Sequence, residues 1–144
     1  VIKKLKLQNF KYVFCIYPTA PLIKVKDLKS AFKKIKNKKF SSIVATSTYN
    51  SNPLRSLKIH KDIISFKWKK YAGKRTQDLK DLIHDSGTFY IYKTEELMKL
   101  RLKSIMLKRT SYYNIDRFRA IDINNLEDLK FAEFLHRYKK NNKL

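Results

Sequence analysis

The sequence predicts an α/β fold that carries a β-hairpin extension. Strand-like, helix-like and strand-like stretches follow one another between residues 11 and 48. Residues 54–68 then alternate about a short polar turn. Beyond them, two more amphipathic stretches follow short apolar runs toward the end of the chain. A strand, a helix and a second strand in so short a span form a βαβ unit, which implies parallel strands joined by a right-handed crossover.

Each element has its own warrant. Lys11 to Ile16 is rich in aromatic and β-branched residues and predicts a mostly buried strand. Cys15 lies within it and is expected to be a buried, inert thiol. Pro18-Thr19-Ala20-Pro21 ends the strand as a stiff turn. The spacing of Leu28, Ala31, Phe32 and Ile35 predicts a helix over Val25 to Asn37, with lysines on the other face. Ser42 to Thr48, centred on Ile43, Val44 and Ala45, predicts a second buried strand. Leu54 to Ile59 and Ile63 to Trp68 alternate around His60-Lys61-Asp62 as a hairpin does. This extension projects Phe66, Trp68 and Tyr71, either as a dimer surface or folded back on the parent core. Tyr71 to His84 predicts irregular chain, and Thr88 to Tyr92 a further strand. Thr94 is placed to cap a short helix whose first turn holds Glu95 and Glu96. Ile105 to Leu107 and Ala120 to Ile123 predict short strands. Asn125 caps a last helix with Leu126, Leu129, Ala132, Phe134 and Leu135 as its apolar face, and Lys139 to Leu144 is a polar tail expected to fray. One domain, 1–144, with an extension over 50–85, accounts for the pattern.

Composition narrows the function classes. The 144 residues are 43% hydrophobic and 13% aromatic, enough for a core and too apolar for disorder. No run is long enough to span a membrane and no signal peptide is visible, so a cytoplasmic protein without a membrane partner is expected. A single cysteine excludes an internal disulfide and a cysteine-based zinc site. The formal charge of +22 raises nucleic acid as a partner, but 27 of the 34 basic residues are lysine and they are spread along the whole chain. Sequence-reading and phosphate-forking sites lean on arginine, so no specific nucleic acid is expected. The chain starts at Val1 and reaches its first strand within a dozen residues, which is expected of a portion of a longer polypeptide.

Three clusters could carry chemistry. Tyr17-Pro18-Thr19-Ala20-Pro21 sits at the carboxyl end of a strand, where open α/β sheets place ligands, although a Pro-rich stretch after a strand also serves as a plain turn. Arg75-Thr76-Gln77-Asp78-Leu79 offers a guanidinium fork and is followed by His84-Asp85-Ser86-Gly87-Thr88, where Gly87 permits close backbone approach or a sharp turn, although a generic surface loop has the same composition. Asp122-Ile123-Asn124 precedes the last helix. Alternation puts its carboxylate and amide on one face, a donor set suited to Mg²⁺, although Asn124 and Asn125 also serve as plain helix-capping oxygens. His60 and His136 are expected on the surface, and no glycine-rich phosphate loop exists among the two glycines.

The ordered set resembles the sugar-acid cytidylyltransferases of the CMP-sialic acid synthetase type. The motifs are Pro18-Thr19-Ala20-Pro21-Leu22, Arg75-Thr76-Gln77-Asp78-Leu79, Asp85-Ser86-Gly87-Thr88-Phe89-Tyr90 and Asp122-Ile123-Asn124. They cover the chain from about Tyr12 to Tyr138. Tyr17 before the Pro-Thr pair and the His84-Asp85-Ser86-Gly87 stretch are similar to the pseudaminic acid branch.

The resemblance implies a partial Rossmann-like nucleotide-diphospho-sugar transferase fold with a hairpin dimerisation extension. It implies transfer of CMP from CTP to a nine-carbon sugar acid with release of pyrophosphate, Mg²⁺ as cofactor, a homodimer, and a product destined for bacterial surface glycans. It assigns Asp122 to catalysis and, with Asn124, to the metal. Tyr17, Pro18, Thr19 and Ala20 would line the sugar pocket, helped by Arg75, Gln77, Asp85 and Gly87. Asn124 stands where the family has a second carboxylate. The family's opening strand and its glycine- and Arg/Lys-bearing nucleotide loop have no counterpart in these residues, so the chain by itself is expected not to turn over CTP. A sialic or legionaminic acid specificity, or a non-catalytic basic nucleic-acid-binding module, is the alternative.

Overall fold

A computed structural model describes Lys6 and residues 9–37, 39–99 and 106–141. The chain divides into two compact units, residues Val1–Ser47 with Asp85–Leu144, and Thr48–His84.

The larger unit is built on a four-stranded sheet in the order β1 (Tyr12–Ile16), β5 (Ile83–Lys93), β2 (Ser42–Thr48), β6 (Thr110–Asn114). In chain order, α1 (Val25–Ile35) follows β1, α2 (Thr94–Met98) follows β5 and α3 (Leu126–Asn141) closes the chain. β1 pairs antiparallel with β5, Ile16 standing opposite Phe89, and β2 pairs parallel with β6. Lys93 N–H donates to Ser41 O at one end of β5, and Ser86 Oγ donates to Ala45 O at the other. β5 therefore runs against β2 as well. β1 and β2 are co-oriented, as the βαβ reading requires, but β5 lies between them.

Period-two alternation sorts the sheet's side chains onto two faces. Ile43, Ala45, Phe89 and Ile91 pack with Ala31 and Ile35 of α1 and with Ile115, all fully buried. Leu28 and Phe32 flank them, completing the α1 face read from the sequence. Val44, Tyr90 and Tyr92 gather on the other face with Leu97 of α2. Burying each large apolar side chain contributes roughly 1.5–3 kcal/mol.

Several expectations are corrected. β1 is an edge strand, not a buried one: Phe14 and Ile16 are 40% and 45% exposed, and the Cys15 thiol is exposed too. Ala120–Ile123 is not a strand; Ile123 N–H instead bonds Thr19 O in the turn after β1. Ile105 lies outside the described residues, and Met106 and Leu107 are coil. The strand in this region is β6, whose Thr-Ser-Tyr-Tyr-Asn has β-formers but no aliphatic run to announce it. Lys93, not Thr94, is the N-cap of α2, and the Thr94 hydroxyl is buried without a hydrogen-bond partner. On α3 only Ala132 and Leu135 are buried, while Leu126, Leu129 and Phe134 are exposed. The helix runs on through Lys139 to Asn141, and the rest of the tail read as frayed lies outside the described residues. Its N-terminus is capped as anticipated: Asn125 Oδ1 accepts from Asp128 N–H, and Asp128 Oδ2 accepts from Asn125 N–H.

The smaller unit holds the hairpin of β3 (Leu57–His60) and β4 (Ile63–Phe66), with His60 opposite Ile63. Lys61 and Asp62 form its two-residue turn, both at positive φ (44° and 64°), the type I′ geometry that matches strand twist. Leu57, Ile59, Ile63 and Ile64 are exposed, whereas Phe66, Trp68 and Tyr71 are half-buried. The Arg55 guanidinium lies 5.0 Å from the centre of the Phe66 ring. Of the Tyr71–His84 stretch read as irregular, a short 3₁₀ turn takes Thr76–Asp78, another, Lys69–Tyr71, ends at its first residue, and β5 already begins at Ile83 rather than at Thr88.

Candidate functional site

The carboxyl end of β1 and the amino-terminal half of β5 meet on the same rim of the sheet. Tyr17 N–H donates to Thr88 O (2.9 Å), extending the β1–β5 ladder by one bond. The chain then turns: Ala20 N–H donates back to Tyr17 O, and two flanking prolines hold the bend. Ala20 is buried and Thr19 half-buried, while Tyr17 and Pro18 are exposed. The Tyr17 ring lies 5.5 Å from that of Tyr90.

The late aspartate joins this turn. Ile123 N–H donates to Thr19 O at 3.0 Å, which seats the 122–124 segment against the loop. Gly87 stands beside it at φ +63°, and a Cβ there would fall 2.8 Å from Asp122 Oδ2. The glycine thus serves two needs at once, a left-handed backbone and room for a carboxylate. Tyr17, Thr19, Gly87 and Asp122, all read as site residues from the sequence, are brought into one cluster. Asn124 follows, exposed, with its Nδ2 donating to Asp122 O (3.2 Å) and its N–H to Asp128 Oδ2 (3.0 Å).

Asp85 is held rather than free. It accepts from Gly87 N–H (3.0 Å) and from the Tyr90 hydroxyl at both oxygens (3.0 and 2.9 Å). Burial, and then the Asp85 carboxylate, keep the Tyr90 phenol protonated far above its ordinary range. Burial likewise pushes Tyr92 up to about 12. Sequence reading missed Tyr90 as the partner of Asp85, because period-two alternation sets residues five apart on opposite faces and only the left-handed Gly87 between them breaks that pattern.

A second structural group was also missed. Asp27, 3% exposed, receives two bonds from Arg119, one from the Tyr113 hydroxyl (3.2 Å) and one from Lys24 N–H (2.8 Å). It fixes the start of α1, just past the loop, to the segment that leads into Asp122.

Arg75 and Gln77 belong to the smaller unit. Arg75 Nε donates to Asp78 Oδ2 (3.1 Å) in an exposed pair, and Gln77 is exposed in the same 3₁₀ turn. His60 and His136 are on the surface, as read. Among the described residues, no three His, Cys, Asp or Glu side chains gather to hold a metal, and no helix is long and apolar enough to cross a membrane. The 122–124 segment is not a strand, so the alternation expected to set the Asp122 carboxylate and the Asn124 amide on one face does not apply; a cation at Asp122 would have to be a hard one, bound mainly through water and substrate phosphate oxygens.

No protein-family model matches the chain. Among curated proteins it is 30% identical over 101 residues to a pseudaminic acid cytidylyltransferase and UDP-2,4-diacetamido-2,4,6-trideoxy-β-L-altropyranose hydrolase of Helicobacter pylori, covering 69% of this chain and 19% of that protein. It is 29% identical over 140 residues to pseudaminic acid cytidylyltransferases of two Campylobacter jejuni strains, covering 94% of this chain. The chain spans 59% of the length of each of those two proteins. Over most of its length, then, this chain is homologous to the pseudaminic acid cytidylyltransferases.

Proposed function

We propose that the chain carries the sugar-acid side of a cytidylyltransferase site, acting in the transfer of CMP from CTP to pseudaminic acid with release of pyrophosphate. The observation that carries this reading is the Thr19–Ile123 bond, which sets the proline-stiffened loop beside Asp122 and Gly87. The rim it occupies is the one where α/β sheets take ligands.

In the reaction, the anomeric hydroxyl of the sugar attacks the α-phosphorus of CTP, and the bond to the bridging oxygen of the leaving pyrophosphate breaks. Both reactants are anions, so positioning and charge neutralisation are the main demands. Tyr17, Pro18, Thr19 and Ala20 line the sugar, with the exposed Tyr17 ring as one wall. Asp85, clamped by Tyr90 and Gly87 N–H, is oriented to accept a sugar hydroxyl without having to reorganise. Asp122, with Asn124 beside it, would hold Mg²⁺, which when bound supplies positive charge to phosphate oxygens. Arg75 and Gln77 serve the dimer edge of the smaller unit. The Thr48–His84 unit, with exposed Leu57, Ile59, Ile63 and Ile64, is the surface for a homodimer. A cytoplasmic site of action and a product that feeds surface glycans complete the reading.

The 144 residues include no glycine-rich phosphate cradle, so this chain binds the sugar acid but does not turn over CTP unaided. The test is an NMR titration of the isotope-labelled chain with pseudaminic acid. Shifts centred on the amides of Tyr17, Thr19, Gly87 and Ile123, weaker with N-acetylneuraminic acid, are expected. Shifts elsewhere, or none, sink the sugar-site reading; pyrophosphate release from CTP by the chain alone sinks the half-site reading.

A further inference from the structure

A hollow of about 330 Å³ lies between the Pro21–Lys24 segment and the last turns of α3. Lys24, Arg119, His136, Lys139 and Lys140 line it together with Pro21, Leu22 and Ile23, and no carboxylate is among the lining residues. It shares no residue with the Tyr17–Ala20, Gly87 and Asp122 cluster. We propose that this hollow binds a small phosphate-bearing anion, an inorganic phosphate or diphosphate or the terminal phosphate of a small ester.

The built part of the site is Arg119. Its side chain is only 16% exposed and its guanidinium is fixed by two hydrogen bonds to Asp27, which leaves the rest of its five N–H donors for other acceptors. The one buried carboxylate nearby is already saturated: Asp27 accepts from Arg119, Tyr113 and Lys24 N–H. It therefore orients the arginine but has little left to offer the lysines. Lys139 is half-buried and has no ion pair among the described residues. Burial, together with Arg119 and Lys24, holds its pKa below the ordinary lysine value, against the opposing pull of Asp116 and Asp27. A multiply charged oxyanion would relieve that repulsion and use several donors at once. The volume is at the lower end for a small-molecule site.

The chain carries a formal charge of +22, so the experiment must separate a site from a basic surface. Calorimetric titration with pyrophosphate, orthophosphate and glycerol phosphate is run at about 150 mM salt, where exposed charges are largely screened. Saturable one-site binding of at least one of these is expected. Lys139→Gln should weaken it ten-fold or more, while Lys58→Gln with Lys61→Gln on the hairpin should change it less than two-fold. Non-saturable heat, or equal losses in both variants, overturns the proposal. If Lys139→Gln fails to fold, acetylation footprinting of the unaltered chain decides. Pyrophosphate should protect Lys24, Lys139 and Lys140 but not Lys58 or Lys61; uniform protection, or none, overturns the site. The ester arm tells its source: binding of glycerol phosphate points to a phosphorylated metabolite, and its exclusion points to the inorganic ion.

Discussion

Asp27 and Arg119, 92 positions apart in the chain, form a buried two-point ion pair that joins the first turn of α1 to the segment before Asp122. Removing one partner leaves the other charge buried and uncompensated, which typically costs about 3–5 kcal/mol. Arg119→Ala is thus expected to lower the urea midpoint sharply. Arg119→Lys should recover only part of the loss, because an ammonium cannot fork across both carboxylate oxygens. Equilibrium unfolding of the two variants checks the order.

The same pair sets an acid limit. Burial alone would raise the Asp27 pKa, but the bonds from Arg119, Lys24 N–H and Tyr113 outweigh it, and the carboxyl titrates below its ordinary value of 3.8. A lowered folded-state value means that the contribution is fully present above the unfolded-state pKa and drains away as pH falls through the folded one. Urea midpoints should therefore hold from pH 7 to about 5 as far as this group is concerned, then fall below about 4. Asp27→Asn should start less stable and lack this share of the acid slope. An unchanged slope in that variant would assign the acid sensitivity to other carboxylates.

What the sequence made legible follows from what local pattern encodes. Leu28, Ala31, Phe32 and Ile35 recur at helical spacing, and the helix and its buried face follow from that alone. The convergence of Thr19 and Ile123 was legible only through motif order, since nothing local in either segment announces a partner some hundred positions away. β1 was misjudged because apolar composition reports what a strand can bury, whereas its exposure is set by its place at the sheet edge. Asp27 was hidden for the opposite reason: it read as one acidic residue in a helical first turn, where the dipole favours it anyway. Only the return of Arg119 and Tyr113 in space turns it into a structural anchor.

Thr94 presents a simpler case. Its hydroxyl is buried and accepts or donates nothing among the described residues. An unpaired buried polar group costs about 1–3 kcal/mol in desolvation, and replacing it by an apolar group of the same shape is close to neutral or favourable. Thr94→Val should hold or raise the melting temperature, whereas Thr94→Ala should lower it by leaving a void. A clear loss in the valine variant would mean that the hydroxyl is solvated in solution.

The hairpin turn stores strain that substitution can release. Lys61 and Asp62 both sit at positive φ, where a side chain with a Cβ costs roughly 1–2 kcal/mol per residue. Asn and Gly are the residues that a type I′ turn favours. Lys61→Asn with Asp62→Gly should stabilise the β3–β4 pairing by about 1 kcal/mol. Hydrogen exchange at the paired residues Ile59 and Ile64 is the direct readout. Slower exchange confined to the hairpin is expected, and no change would mean that the turn relaxes in solution.

Gly87 and Asp122 offer the sharpest test of the candidate site. Gly87→Ala meets two separate penalties: φ of +63°, costing about 1–2 kcal/mol, and a Cβ 2.8 Å from Asp122 Oδ2. Only the second depends on the aspartate. In Asp122→Ala the carboxylate is gone, so adding Gly87→Ala should cost just the backbone share. The double-mutant cycle should then show a coupling of about 0.5 kcal/mol or more, as expected for side chains in contact. The Tyr90–Asp85 bonds do not involve Asp122, and the alkaline titration of the Tyr90 phenol should stay high in the single variants. Additive costs in the cycle would place Asp122 away from Gly87, and with it the proposed metal-binding carboxylate away from the Tyr17–Ala20 loop.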